Sequence, residues 1–212
     1  IYKTFGITYR AEFSTRPEDF MGDIELWNDA EAVLKKILDK KYGEGGYEIN
    51  EGDGAFYGPK IDLQIKDALG REWQCGTIQL DFQLPQRFEM EYVGEDGAKH
   101  QPIMVHRVAF GSIERFIGIL IEHFAGKFPV WLAPTQVKIL PITDRQLDYA
   151  NGLCAKMKEA GIRVSVDDRN EKIGYKIREA QMEKVPYMLV LGDKEMEAEQ
   201  VAVRRRDGEQ SV

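Results

Sequence analysis

The chain has 212 residues, 43% of them hydrophobic and 31% charged, with a formal charge of −7. That length holds one or two domains with proper cores, and the net acidity argues against a general nucleic-acid binder while leaving room for local basic patches. No apolar run reaches the roughly 20 residues that cross a bilayer, and the two cysteines, Cys75 and Cys154, form no CxxC pair and read as reduced thiols.

The chain begins with Ile1 inside a strand-like stretch. This reads as part of a longer polypeptide, so the lack of a targeting signal carries little weight. An extended segment is expected at 7–13 and a helix from Ile24 to Lys41, with apolar Ile24, Trp27, Val33, Leu34, Ile37 and Leu38. Gly43, Gly45 and Gly46 end that helix. Two runs then read as antiparallel strands, Ile61–Lys66 and Glu72–Phe82, joined near Leu69 and Gly70. From Pro102 to Gly126 an apolar strand breaks at Gly111-Ser112 and continues as a helix. Ile113, Phe116, Ile117, Ile119, Leu120, Ile121 and Phe124 make it apolar nearly all round, which predicts a core helix. Pro129 and Pro134 bracket a non-periodic boundary. Beyond it come a strand at 136–141, a helix opened by the capping box Thr143-x-x-Gln146 and stopped at Gly161, and a strand at 162–166. A helix from Asn170 to Lys184 and strands at 187–191 and 200–206 complete an alternation that predicts a small α/β domain.

Five places carry candidate chemistry. In the strand Arg71–Phe82, ideal alternation sets Cys75, Thr77, Gln79 and Asp81 on one face; a bulge at Gly76 would bring Gln74 round to join Thr77 and Gln79. Such a surface suits a small polar ligand, and it equally suits an edge strand with one wet face. The turn Gly54–Lys60 presents Tyr57 and Lys60, either as a ligand-facing hydroxyl and cation or as a packed ring and a surface charge. His106 reads as a core histidine or as a metal ligand short of partners. Arg115 sits in the first turn after a strand–glycine–helix junction, where backbone N–H groups and the dipole favour an anion; a salt bridge to Glu114 or Glu122 is the other reading. Past the boundary, Asn170, Lys172, Arg178 and Arg204–Arg206 form either a basic patch or a solvated face.

The order GAFYGPKIDLQIKDALGREWQCGTIQLDFQLPQRF, VGEDG, HRVAFGSIERFIGILIEHFAG, FPVWLAPTQV and DDRNEKIGYKIREAQMEKVPYMLVLGDKE resembles the bacterial threonyl-tRNA synthetases, class II aminoacyl-tRNA synthetases, over essentially the whole chain. The resemblance implies an α+β fold. Residues 1–133 would be the C-terminal part of a catalytic domain, an antiparallel sheet flanked by helices and carrying the third class-defining motif. Residues 134–212 would be a small α/β anticodon-binding domain with a mainly parallel sheet, its final helix missing.

The same resemblance implies a threonine–tRNA ligase: ATP activates L-threonine to threonyl-adenylate, and the threonyl group passes to the 3′ end of tRNA(Thr). A non-catalytic synthetase-like module that binds tRNA or nucleotide is the alternative, and the isolated chain is expected to be inactive. Position by position, Arg115 and Lys60 would be catalytic, and Arg115 would hold ATP with Ser112, Gln74 and Thr77. Tyr57 and Gln79 would line the threonine site. His106 would be one of three ligands to one Zn²⁺ per subunit, which in the family takes the substrate's amino and hydroxyl groups. Asn170, Arg178, Glu195 and Arg204 would read anticodon bases. Mg²⁺ would accompany ATP, the parent would be a cytoplasmic homodimer without membrane contact, and the other zinc ligands and the first two motifs would lie upstream of Ile1.

Overall fold

The computed structural model describes residues 1–211. They form two compact units, Ile1–Ile119 and Leu120–Val212. In the first, a 3₁₀ turn at Tyr2–Phe5 leads to strand β1 (Tyr9–Ser14) and helix α1 (Ile24–Tyr42). Then come β2 (Glu48–Asn50), β3 (Lys60–Lys66), β4 (Glu72–Asp81), the short helix α2 (Gln83–Arg87), β5 (Tyr92–Val93), β6 (Lys99–His100), β7 (Met104–Val108) and helix α3 (Ile113–His123), whose residues from Leu120 onward belong to the second unit. The main sheet runs β2-β1-β3-β4-β7, antiparallel except for the β1–β2 pair.

Alternation gives this sheet two unlike faces. Ala11, Phe13 and Ile61 turn toward α1 and pack with its Leu34 and Leu38. Asp23 caps α1 by accepting the N–H of Glu25, and fully buried Trp27 anchors the helix start by donating its indole N–H to the carbonyl of Met21. The other face is polar. Arg10, Glu12 and Ser14 on β1 stand opposite Gln64, Asp62 and Lys60 on β3, and Asp62, Lys60 and Gln64 stand opposite Thr77, Gln79 and Gln74 on β4.

The β3–β4 register slips once. Leu63 pairs with Gly76 and Gln64 with Gln74, leaving Cys75 as the extra residue of a bulge. Cys75 therefore does not share the polar face as ideal alternation expects; it is buried. Gly76 is needed beside the bulge, because a Cβ there would lie 2.7 Å from the Tyr2 hydroxyl and 3.0 Å from Leu63 Cδ1. Helix α3 departs from the expected core helix. Phe116, Ile119 and Leu120 are buried, but the adjoining stripe of Ile113, Ile117 and Ile121 is exposed, Ile113 by 64%. An apolar sequence sets which stripes can be covered, not how many are.

The second unit holds β8 (Val137–Pro141), α4 (Leu147–Glu159), β9 (Val164–Val166), α5 (Ile173–Met182), β10 (Tyr187–Leu191), α6 (Asp193–Glu197), β11 (Ala202–Arg205) and β12 (Gln210–Ser211). Its sheet runs β12-β11-β10-β8-β9, with β9, β8 and β10 parallel and β11 and β12 added antiparallel. The Thr143–Gln146 box forms as a 3₁₀ turn ahead of α4, with Gln146 Oε1 accepting from the Thr143 N–H at 2.8 Å.

The β3–β4 turn is tied by Asp67. Burial works against the charged form of this carboxylate. It nevertheless accepts the Trp73 indole N–H at 2.8 Å, Arg71 Nε at 2.5 Å and the backbone N–H groups of Arg71 and Leu69, and these hold its carboxyl well below the usual range. A depressed folded-state pKa stabilises the fold above the unfolded value, about 3.9, and the contribution is lost as pH falls further. The midpoint of thermal unfolding is expected to decline more shallowly below about pH 4 in Asp67→Asn than in the native chain; circular-dichroism melts with identical acid slopes would refute this.

Candidate functional site

The polar face opens into a hollow of about 500 Å³ in the first unit, lined by residues that include Tyr57, Thr77, Gln79, Asp81, Gln83 and His106. Two anchors place these side chains. The Gly54–Lys60 turn is sewn to the end of β4, Leu80 N–H donating to Pro59 O and Phe82 N–H to Tyr57 O, so the Tyr57 ring stands over β4. Its hydroxyl donates to Gln79 Oε1 at 2.7 Å. Strand β7 sets His106 opposite Gln79, and the imidazole meets the Tyr57 ring edge-on at 6.1 Å between centroids.

Asp81 is the carboxylate of this hollow, and it is almost wholly buried. Desolvation would raise its pKa, yet it lies 2.8 Å from His106 Nε2 and accepts the N–H groups of Gln83 and Leu84, so its carboxyl is held below the ordinary value. Burial, with the Asp81 charge adding to it, pushes the Tyr57 phenol upward and keeps it a protonated donor. Thr77 Oγ1 and Gln83 Nε2 are buried there without a hydrogen-bond partner among the described residues. Unspent polar atoms in a hollow are capacity for a ligand.

The remaining expected residues lie beside this hollow rather than in its lining. Lys60 Nζ is held between Asp62 at 2.9 Å and Asp53 at 3.0 Å; burial opposes its charge, but the two carboxylates prevail and raise its pKa. Gln74 donates to the same Asp62 at 2.6 Å. Gly111, at φ +67°, turns the chain against the Cys75 backbone, where a Cβ would approach the carbonyl oxygen to 3.0 Å. Ser112 then opens α3, its Oγ accepting the Arg115 N–H at 3.3 Å and donating to Glu114 at 2.9 Å. Among the described residues the Arg115 guanidinium has the Trp73 ring for a neighbour, 5.3 Å from its centroid, and no carboxylate. Burial raises the Cys75 thiol pKa, and the Arg115 charge partly offsets that. No group of three His, Cys, Asp or Glu side chains gathers to hold a metal among the described residues.

In the second unit, Asn170 lines a small hollow of about 120 Å³ with Thr143, Asp144, Arg169, Glu171 and Lys176. Glu195 accepts the Gly192 N–H at 2.8 Å just past the end of β10. Arg204, on β11, lines a different hollow together with Ile177, and its Nε is buried without a partner among the described residues. Arg178 is exposed on α5. Asn170 and Arg204 thus do not share one pocket.

Sequence reasoning assigned no role to Asp81, Asp62, Trp73 or Lys176. Asp81 was detectable, since it continues the Thr77–Gln79 alternation; Asp62 gave only the signal of a polar strand position. The antiparallel sheet with its strand–glycine–helix junction and the following α/β unit are those of a class II synthetase piece. The chain belongs to that family: residues 1–124 match the tRNA synthetase class II core domain (G, H, P, S and T), and residues 136–212 match the anticodon binding domain. A curated relative, the threonine–tRNA ligase of Clostridium tetani, is 67% identical over 206 residues, covering 97% of this chain and 32% of its own. The chain thus spans about a third of the length of the curated relatives it matches. Among solved structures, the RNA binding domain of threonyl-tRNA synthetase from Cryptosporidium parvum Iowa II superposes with a TM-score of 0.92 at 41% identity, over 99% of this chain and 53% of that one. A putative threonyl-tRNA synthetase from Aeropyrum pernix follows at 0.71 and 30%, over 96% and 49%.

Because Thr77 Oγ1 is desolvated and unpaired, Thr77→Val is expected to leave the free energy of unfolding unchanged or raise it by up to about 1 kcal/mol. Denaturant titration checks this, and a loss beyond about 2 kcal/mol would mean that the hydroxyl is satisfied in the native fold.

Proposed function

We propose that the whole protein carrying this chain is a threonine–tRNA ligase, and that residues 1–133 supply the amino-acid and nucleotide side of its catalytic site. The observation that carries this is the hollow shared by Tyr57, Thr77, Gln79 and His106, in a chain of the class II core family. In the reaction, a threonine carboxylate oxygen attacks the α-phosphorus of ATP. The bond to the β-phosphate oxygen breaks, and pyrophosphate leaves. A ribose hydroxyl of the tRNA's terminal adenosine then attacks the threonyl carbonyl and displaces AMP. Both steps are mainly a matter of positioning and charge neutralisation.

Tyr57 and Gln79 form a fixed hydroxyl–amide pair for the polar part of threonine. Thr77 offers its unspent hydroxyl, and Gln74 stands next along the bulged strand for the adenylate. Ser112 shapes the turn that presents Arg115, whose free guanidinium takes a nucleotide phosphate in a planar fork. Lys60, neutralised by two carboxylates, orders Asp62 and Gln74. Mg²⁺ would screen the ATP phosphates when bound.

His106 fits a zinc ligand of the usual kind. A ligating histidine commonly has its other ring nitrogen on a carboxylate, as Nε2 is on Asp81 here. This chain supplies that one ligand. Zinc, one per subunit, would supply Lewis-acid recognition of the substrate's amino and hydroxyl groups, and a site built to take a hydroxyl rejects valine far better than an apolar pocket does.

Residues 134–212 are inferred to read the tRNA(Thr) anticodon through Asn170, Arg178, Glu195 and Arg204, supported by the match to the anticodon binding domain. A cytoplasmic homodimer is inferred from the family likeness; among the described residues no helix is long and apolar enough to cross a membrane.

The reading is tested by pyrophosphate exchange with the full-length protein, which is expected to depend on threonine; exchange indifferent to threonine would end it. Arg115→Ala is expected to raise the KM for ATP ~10- to 100-fold, the worth of a charged hydrogen bond, with little change for threonine. His106→Ala is expected to lower the zinc content measured by atomic absorption, and undiminished zinc would remove His106 from the ligand set.

A further inference from the structure

Among the described residues Trp73 is the aromatic side chain that lies against the Arg115 guanidinium, and it has a second contact that fixes it. Its indole N–H donates at 2.8 Å to Asp67, whose carboxylate has no exposed surface. Asp67 is itself immobilised by Arg71 Nε at 2.5 Å and by the backbone N–H groups of Leu69 and Arg71. Arg71 also lies over the Trp73 ring, 5.7 Å from the centroid. The ring is therefore held edge-on by an anion and flanked by two cations. Strand register agrees: Trp73 pairs with Ile65, two positions before Asp67, which ties the β3–β4 turn.

From this we infer that Trp73 is a positioning residue for Arg115, with Asp67 as its anchor: the turn carboxylate orients the indole, and the indole face holds the guanidinium where an incoming nucleotide meets it. The inference rests on the nucleotide-binding reading of Arg115. The physical case is entropic. An exposed arginine with no carboxylate partner samples many rotamers, and binding an anion would have to freeze them. A ring face attracts the guanidinium by its quadrupole without consuming any of its five N–H donors. A carboxylate in the same place would have fixed the side chain and spent the donors that a phosphate needs. Stacking fixes it and leaves them free.

The test is made in the full-length protein with ATP–pyrophosphate exchange. Trp73→Leu removes the quadrupole, and Trp73→Phe keeps a ring face but breaks the tie to Asp67. Trp73→Leu is expected to raise the KM for ATP roughly tenfold, a typical cation–π loss, with Trp73→Phe lying between it and the native protein. The KM for threonine is expected to stay at its native value in Trp73→Phe, while the thermal midpoint falls because Asp67 loses a donor. A Trp73→Leu protein with native ATP dependence, beside an Arg115→Ala protein that has lost it, would overturn the positioning role alone. Equal losses for ATP and threonine in both variants would reduce Trp73 to packing and overturn it as well. If Arg115→Ala keeps native ATP dependence, the nucleotide reading fails first and the positioning role falls with it.

Discussion

Opposite Leu63 stands Gly76, and opposite Gln64 stands Gln74, so Cys75 has no partner on β3. A shift of one residue in a strand sends every following side chain to the other face. Without this bulge, Gln74 would face helix α1, and Trp73 would face the polar side. With it, Thr77 and Gln79 on one side of the slip and Gln74 on the other share a single surface. The bulge needs two glycines near it: Gly76, whose missing Cβ leaves room for Tyr2, and Gly111, whose turn lies against the Cys75 carbonyl. The start of α3, and with it Ser112 and Arg115, is thereby seated on the irregular part of the strand.

The carboxylates of this surface come already paired. Asp62 has Lys60 and Gln74, Asp81 has His106 and two backbone N–H groups, and Asp67 has an indole, a guanidinium and two N–H groups. Buried anions left unpaired would be strongly unfavourable, so pairing is the condition for a polar face of this kind inside a folded unit. What remains unspent is informative. Thr77 Oγ1, Gln83 Nε2 and the Arg115 guanidinium offer one hydroxyl, one amide and one cation, a set suited to a ligand that carries polar groups and negative charge.

The periodic parts of this fold were legible in the sequence. Helix α1 appears as Ile24–Tyr42 against an expectation of Ile24 to Lys41, and β3, β4, β8 and β10 lie close to their expected spans, because a strong period and clear breakers leave few alternatives. The bulge was legible as well, from a glycine inside a polar strand. The short pieces β2, β5, β6, α2 and α6 were not: two to five residues carry too little pattern to be distinguished from loop. Burial of α3 was misjudged because composition reports what a helix tolerates, whereas exposure depends on what the rest of the chain lays over it. At the site, Tyr57, Gln79 and His106 could be named, but the carboxylate that pairs with His106 could not be weighted. Its role comes from a cross-strand neighbour 25 residues away, and no local pattern encodes that pairing.

The second unit applies the same logic at the ends of its parallel strands, where backbone pairing stops and loops begin. Lys176 is almost fully buried and donates at 3.0 Å to the carbonyls of Pro141 and Asp167, joining the end of β8 to the segment just past β9. Asp167 in turn takes the Arg169 guanidinium at 2.6 and 2.8 Å. Gln146 Nε2 reaches Asp193 Oδ1 at 2.5 Å and so ties the loop after β8 to the start of α6. These ties spend buried side chains on loop geometry. Asn170 stays exposed within a fixed loop, and Glu195 uses one carboxylate oxygen to cap α6. The ends of the parallel strands are thus where this fold holds polar side chains still while leaving them uncovered.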